Sequence, residues 1–395
     1  MLLSSPWGPP PLLSVLLFSL LSYFAAFSHR LHAAPWIEPG DMRTRHHIQV
    51  LVDSGAIQTP ITSWPLMWSN LKGSLHSVDV NTLSQSELWS YQYLKHTLRR
   101  AQKPVQFSTV TTASNQLPTL TDFNRPIREQ YGAHVNANFT STRASLNLRA
   151  NYHRDASDEK DIRADGSYLS YLLGNWALGI GAIDRWWGPG WDNSLILSHN
   201  ARPTPGLFLQ RNNATAFKTP WLSWLGPWQL TSFMNQFESE RPRKGTRLWG
   251  MRVNFRPLKS LEIGLSRTAM WAGEGRPGDA DTFLRLLLGR DNRGDDGATE
   301  ENEPGNQLAG VDLRWNTGIA NFGSLAVYGQ LIGEDEANGT PSRHIGMAAM
   351  EFSWQGAWFK HRAQQRIILE AANTTVYFYD SPKRAPNTAL SLIHI

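Results

Sequence analysis

The sequence predicts an antiparallel all-β transmembrane barrel preceded by a small helical bundle, and three observations predict it. From about Val105 onward, short segments alternate apolar and polar residues with a period of two. Charged residues make up only 18% of the 395 residues while aromatics reach 11%, with 17 tryptophans. Yet no internal segment has the run of ~18 apolar residues that a spanning helix needs. The connections between alternating segments also fall into short and long classes that alternate along the chain. A barrel whose lipid-facing residues occupy every second position satisfies all three. Cysteine is absent, which excludes a disulfide scaffold and a thiolate metal site. The net charge of +5 would suit an acidic ligand without requiring one. No cofactor, resident metal or nucleic-acid partner is expected.

Taken in order, Leu12–Phe27 is an apolar run followed by small residues at Ala33 and Ala34. Residues 1–33 are therefore expected to be a secretory signal peptide, with an uncleaved anchor as the alternative. The first charge is Arg30, so the usual basic region is missing and the start codon is in question. Residues 34–103 are expected to form the bundle. Ile48, Leu51 and Val52 mark one helix; Trp64, Trp68, Leu71 and Leu75 share the stripe of a second, with Pro65 suited to its first turn. Ser84 and Glu87 make a capping-box pattern ahead of Leu88, Tyr91 and Leu98. His46 and His47 are adjacent on a helix and cannot both face one metal.

Residues 104–389 are expected to form the barrel. Trp249, Met251, Val253 and Phe255 take one face of a strand, and Gly250, Arg252 and Asn254 the other. Leu261, Ile263 and Leu265 alternate with Glu262, Gly264 and Ser266. Ala309, Val311, Leu313 and Trp315 alternate with Gly310, Asp312 and Arg314. Inward charges, and strands ending on Trp, favour a membrane barrel over a soluble sandwich. Thr140–Arg143, Gly174–Asn175, Leu225–Pro227, Pro257–Ser260 and Asn316–Phe322 read as short connections. His153–Gly166, Arg185–Lys218, Glu238–Thr246, Trp271–Gln307 and Gly333–Arg343 read as long ones. Short turns of such barrels face the periplasm, which puts the long set outside. The chain ends LSLIHI at Leu390–Ile395, without the terminal aromatic that barrel assembly machinery reads. Those residues are what the adapter sequence CTGTCTCTTATACACATC would encode. Residues 390–395 are thus expected to be foreign and the barrel incomplete.

The long connections hold the candidate chemistry. Trp186, Trp187, Trp191 and Trp271 stand beside Gly and Pro, as rigid apolar plates on which sugar rings could stack; membrane-girdle or loop packing is the other reading. Glu274, Arg276, Asp291, Asn292, Glu303, Asn306 and Gln307 offer donors and acceptors for hydroxyls. Arg276 is able to clamp a carboxylate of an acidic polysaccharide; salt bridges holding a loop plug are the alternative. Glu274 with Asp291 or Glu303 could supply a glycosidase pair, but nothing in the sequence pairs them, and no catalytic residue is assigned. Asp291–Asn302 has the acidity of a calcium loop with the wrong residues at key ligand positions.

These segments carry a family resemblance. RWWGPGWDNSL at Arg185–Leu195, ARPTPGLFLQR at Ala201–Arg211, WLGPWQ at Trp224–Gln229 and LEIGLSRTAMWAGEGRP at Leu261–Pro277 are similar to the Wzi capsule-assembly family. NEPGNQLAG at Asn302–Gly310, GQLIGEDE at Gly329–Glu336, and the patterns at Leu51–Ile57 and Trp64–Trp68, add to it. The resemblance covers most of the chain beyond the signal, more weakly after Met347. It implies a lectin-like outer-membrane barrel of roughly eighteen strands when complete, with a periplasmic bundle. It further implies a monomer set in outer-membrane lipid that holds capsular polysaccharide at the cell surface and is not an enzyme. A saccharide porin and a glycan hydrolase are the alternatives.

Overall fold

In the computed structural model the alternating segments pair into one antiparallel sheet. The structure describes residues 35–374, apart from 118–120, 125–126, 155–159, 239–243, 288–306, 320–322, 338–339 and 359–360. The expected signal and the adapter-like tail lie outside these residues. Three two-residue strands come first: β1 (Trp36–Ile37), β2 (Ser63–Trp64) and β3 (Leu66–Met67). The wall is built from β4 (Val105–Ala113), β5 (Tyr131–Thr140), β6 (Ala144–Arg154), β7 (Ile162–Arg163), β8 (Tyr168–Leu173) and β9 (Trp176–Ala182). After the short β10 (Trp186–Trp187) it continues with β11 (Pro205–Arg211), β12 (Trp228–Gln236), β13 (Arg247–Leu258), β14 (Leu261–Trp271) and β15 (Gln307–Ile319). It ends with β16 (Gly323–Ala337), β17 (Thr340–Trp358) and β18 (His361–Asn373). Each wall strand pairs with the next; β7 pairs only with β6, and β10 pairs instead with β2. Among the described residues β4 and β18 do not pair, so the wall is a barrel left open at one seam.

The wall is apolar outside and polar inside. The register aligns Val253, Leu265, Val311 and Leu331 across four strands on the outer face. Leu265, Val311 and Leu331 are exposed. On the opposite parity, Arg252, Glu262, Asp312 and Arg314 point inward and are buried, as their alternation predicts. Exposing a leucine to water rather than burying it costs about 1.5–3 kcal/mol. A wall with Phe107, Val135, Ile180, Leu207, Leu265 and Ile367 all exposed is therefore built for hydrocarbon.

The amino-terminal part folds into α1 (Met42–Asp53), α2 (Trp68–His76) and α3 (Gln85–Ala101). Asp41 caps α1 by accepting from the Thr44 amide, and Ser84 with Glu87 forms the expected capping box on α3. The second helix begins at Trp68, so Pro65 precedes it rather than sitting in its first turn. Trp64 is instead drawn into a ladder with Trp186, and this tertiary pairing overrides the helical spacing.

The connections at 141–143, 174–175 and 259–260 are tight, as expected; this rim is the turn end, and the opposite rim the loop end. Two expectations are corrected. The stretch read as one long connection, Arg185–Lys218, contains β11, so the turn end carries the substantial segment 212–227 and strict alternation of lengths fails there. Pro205 and Gly206 disguise that strand, although proline is tolerated at a strand's first residue. Gly333–Arg343 is a continuation of the β16–β17 ladder out to Ala337 and Thr340 rather than a loop. Segment 114–130, at the loop end, has no counterpart among the expected connections.

Candidate functional site

The inward charges hold a plug. Residues 53–62 run through the lumen, where the Glu262 carboxylate accepts the amides of Ile61 and Thr62 at 2.9 Å and the Thr62 hydroxyl at 2.7 Å. Arg252 forks onto Asp312 at 2.5 and 2.9 Å and reaches the Thr62 hydroxyl at 2.8 Å. Arg314 forks onto Asp53 at 2.5 and 2.8 Å. Arg256 pairs with Glu262 at 3.2 Å, and Arg366 pairs with Glu351 while donating to Gln49. Charges this deeply buried persist only when paired and hydrogen-bonded. Arg252, Arg314 and Asp312, the residues that would line a porin's water path, are all engaged in this way.

The loop between β9 and β11 meets the plug from the other side. The Gly188 amide donates to the Thr62 carbonyl at 2.9 Å, and Arg45 of α1 donates to the Pro189 carbonyl at 2.6 Å. Gln330 bridges the Leu195 amide and the Trp187 carbonyl, each at 2.8 Å. Glu370 accepts the Trp191, Asp192 and Asn193 amides at 2.5, 3.0 and 3.1 Å. The glycines of the WWGPGW motif are steric necessities. Gly188 sits at φ 149°, and a Cβ on Gly190 would lie 2.1 Å from the Asn193 carbonyl oxygen.

This packing corrects the first stacking platform. Trp186 and Trp187 are completely buried and Trp191 is 5% exposed. Trp186 packs on Phe123 at 5.5 Å and His199 at 5.4 Å, and the Arg45 guanidinium lies 4.1 Å over Trp191. Ring faces that a sugar would need are already occupied, so these three residues serve as loop packing.

Trp271 lies on the opposite side of the wall. It faces outward on β14, as Trp249 does on β13, and both are covered by α4 (Ala280–Leu287). Phe283 of α4 sits 4.8 Å from Trp271 and 6.0 Å from Trp249, and Leu286 is fully buried beneath the helix. Arg267, also outward, donates to the Leu286 and Leu287 carbonyls that end α4 and to Gln307 Oε1. Gln307 is thereby part of the helix mount. Glu274 is exposed at the rim, with its amide on the Lys244 carbonyl at 2.9 Å, and Arg276 is half-buried. Asp291, Asn292, Glu303 and Asn306, with the rest of the calcium-like stretch, lie outside the described residues. Among the described residues, the candidates are thus not gathered into one site.

At the mouth it gathers residues the sequence reading passed over. Arg128 pairs with Asp184 at 3.2 Å, Arg202 forks onto Asp165 at 2.7–2.9 Å, and Arg163 and Arg202 share Glu238 at 3.2 and 3.4 Å. Burial would raise the Asp184 carboxyl, but Arg128 and His199 beside it hold it well below the usual carboxylate range. Between the β9–β11 loop and the wall lies a half-open cleft lined by Asp184, Arg185, Ser198, Thr204, Phe233 and Asn235. The only local signal was a pair of charged residues flanking the tryptophan motif.

A two-faced antiparallel wall around a lumen filled by the chain's own amino-terminal segment and an infolded loop defines a plugged β-barrel of the outer membrane. Residues 100–386 match the family model for capsule assembly protein Wzi. The chain belongs to that family. It resembles the structure of Escherichia coli Wzi, described as an outer-membrane, carbohydrate-binding β-barrel involved in group 1 capsule assembly. The TM-score is 0.69 and the identity 25%, over 85% of this chain and 71% of that one. A Klebsiella pneumoniae protein, an uncharacterized 55.8 kDa protein in the cps region, is 29% identical over 313 residues. The match takes in 79% of this chain, which spans 60% of that relative's length.

Proposed function

We propose that this protein binds capsular polysaccharide at the outer surface of the outer membrane and retains it there without turnover. One observation carries the choice of a surface binder over a porin: the lumen charges are consumed by the plug, from Asp53–Arg314 to Glu262–Thr62. With short turns toward the periplasm, the polar mouth and its cleft face outward and α2–α3 lie at the periplasmic rim. Outer-membrane lipid surrounds the apolar wall, the barrel assembly machinery inserts it, and the working unit is a monomer. The carbohydrate-binding role described for the Escherichia coli protein supports this reading.

Deleting the gene in a capsulated host tests it. Polymer should shift from the cells to the medium while total polymer stays constant; a matching fall in total polymer would point to synthesis or export. The purified protein should give no steady ion conductance in planar bilayers, and it should release no new reducing ends from capsule.

A further inference from the structure

Arg185 is an anomaly in the mouth cleft. It is 7% exposed, and its guanidinium lies 4.1 Å over the Phe233 ring. Its side chain makes one hydrogen bond, from Nη1 to the Ile183 carbonyl at 3.0 Å. Nε is buried with no partner, and no described carboxylate lies within ion-pair distance. Nearby Asp184 is taken by Arg128. Burial lowers the Arg185 pKa only to about 9, so the group remains a cation at neutral pH. Arg252, Arg256 and Arg314, buried more deeply still, each hold a carboxylate. Asn235 lines the same cleft; its amide nitrogen is bound to Thr204, while its Oδ1 is buried and unpartnered. A cation short of an anion and an acceptor short of a donor therefore border one opening, with Phe233 and Phe237 as apolar lining.

We infer that this cleft is a subsite for a carboxylate-bearing sugar ring, such as a uronate. Its carboxylate is received by Arg185 and a hydroxyl donates to Asn235 Oδ1, at the opening these two side chains border. An uncompensated buried cation destabilises a fold, and a ligand carboxylate that completes it gains a charge-assisted bond in a site shielded from water. The inference rests on the proposed polysaccharide binding and narrows it to acidic polymers.

The test uses the full chain in detergent micelles with two probes: oligogalacturonate and its carboxyl-reduced counterpart, in which each carboxylate becomes a primary alcohol. The acidic probe should bind at least about tenfold tighter, as expected for a charge-assisted bond. Arg185→Met should abolish that preference without lowering thermal stability, because it removes an unpaired cation and strands no charge. If Arg185→Met does not assemble, Arg185→Lys decides, and there the preference must fall several-fold. Equal binding of the two probes to the unaltered protein, or a preference that survives either substitution, would overturn the subsite alone. Binding of neither probe would overturn the polysaccharide reading and the subsite with it.

Discussion

The two tryptophan clusters share a local signature, Trp beside Gly near the end of a strand, and end up on opposite sides of one wall. Trp186, Trp187 and Trp191 lie in the lumen among plug residues, whereas Trp249 and Trp271 lie outside under α4. Strand parity makes the difference. Trp271 has the parity of Leu265, an exposed residue, while Trp186 follows β9 into a loop that turns inward to pair with β2. Composition marks both as rigid plates; only the pairing partner says which surface each covers.

Breaking the inner cluster should have the largest effect. Trp186→Ala leaves a cavity with no solvent or lipid to fill it and should cost about 3–5 kcal/mol. The expected readout is loss of the heat-resistant band in mild detergent. The outer cluster should be more forgiving, because detergent or lipid can occupy the space left by Trp271→Ala. A cost of about 1–2 kcal/mol is expected there, with the barrel intact. Protease cleavage near α4 should rise in that variant; unchanged cleavage would mean that the helix is not held by the ring.

Acid sharpens the same contrast, since it reaches the plug at a higher pH than α4, whose capping Asp279 carboxyl is held below its usual value by hydrogen bonds from Thr282. Burial, and then Arg366, push His46 down to about 3; burial and Arg43 push His47 to about 4. Both are neutral when α1 is docked but take up protons near pH 6.5 once released. The docked state binds fewer protons, so plug stability should be full above pH 6.5. It should fall as pH drops toward 4 and then 3. Hydrogen exchange in α1 should begin to accelerate below pH 6.5, whereas exchange in the α4 segment should respond only at lower pH, where its Asp279 cap takes up a proton. The smallest effect belongs to Glu274→Gln. The side chain is exposed at the rim, and a change within roughly 0.5 kcal/mol, with polymer retention unaltered, is expected. Abolished retention in that variant would favour the hydrolase reading.

Much of the wall was legible because lipid enforces parity. Arg252, Glu262, Asp312 and Arg314 were assigned inward from alternation alone, and the Ser84 cap from its spacing to Glu87. The mouth was not legible, because its chemistry joins residues with no periodic relation: Arg128 to Asp184, Arg202 to both Asp165 and Glu238. β11 was missed because proline and glycine at its start resemble a loop, and the covered state of Trp271 because α4 contacts it only after the chain doubles back.

The lumen segment touches the wall at widely separated places around its circumference. Glu38 holds Arg149 of β6 at 2.8 Å, Asp53 holds Arg314 of β15, and Gln49 holds Arg366 of β18 at 2.6 Å. All three anchors lie within a stretch that is made before any wall strand. The segment thus ties together strands that the sheet itself connects only through many intervening neighbours. These three side chains thereby brace β6, β15 and β18 from within, as the ladder between neighbouring strands does from strand to strand.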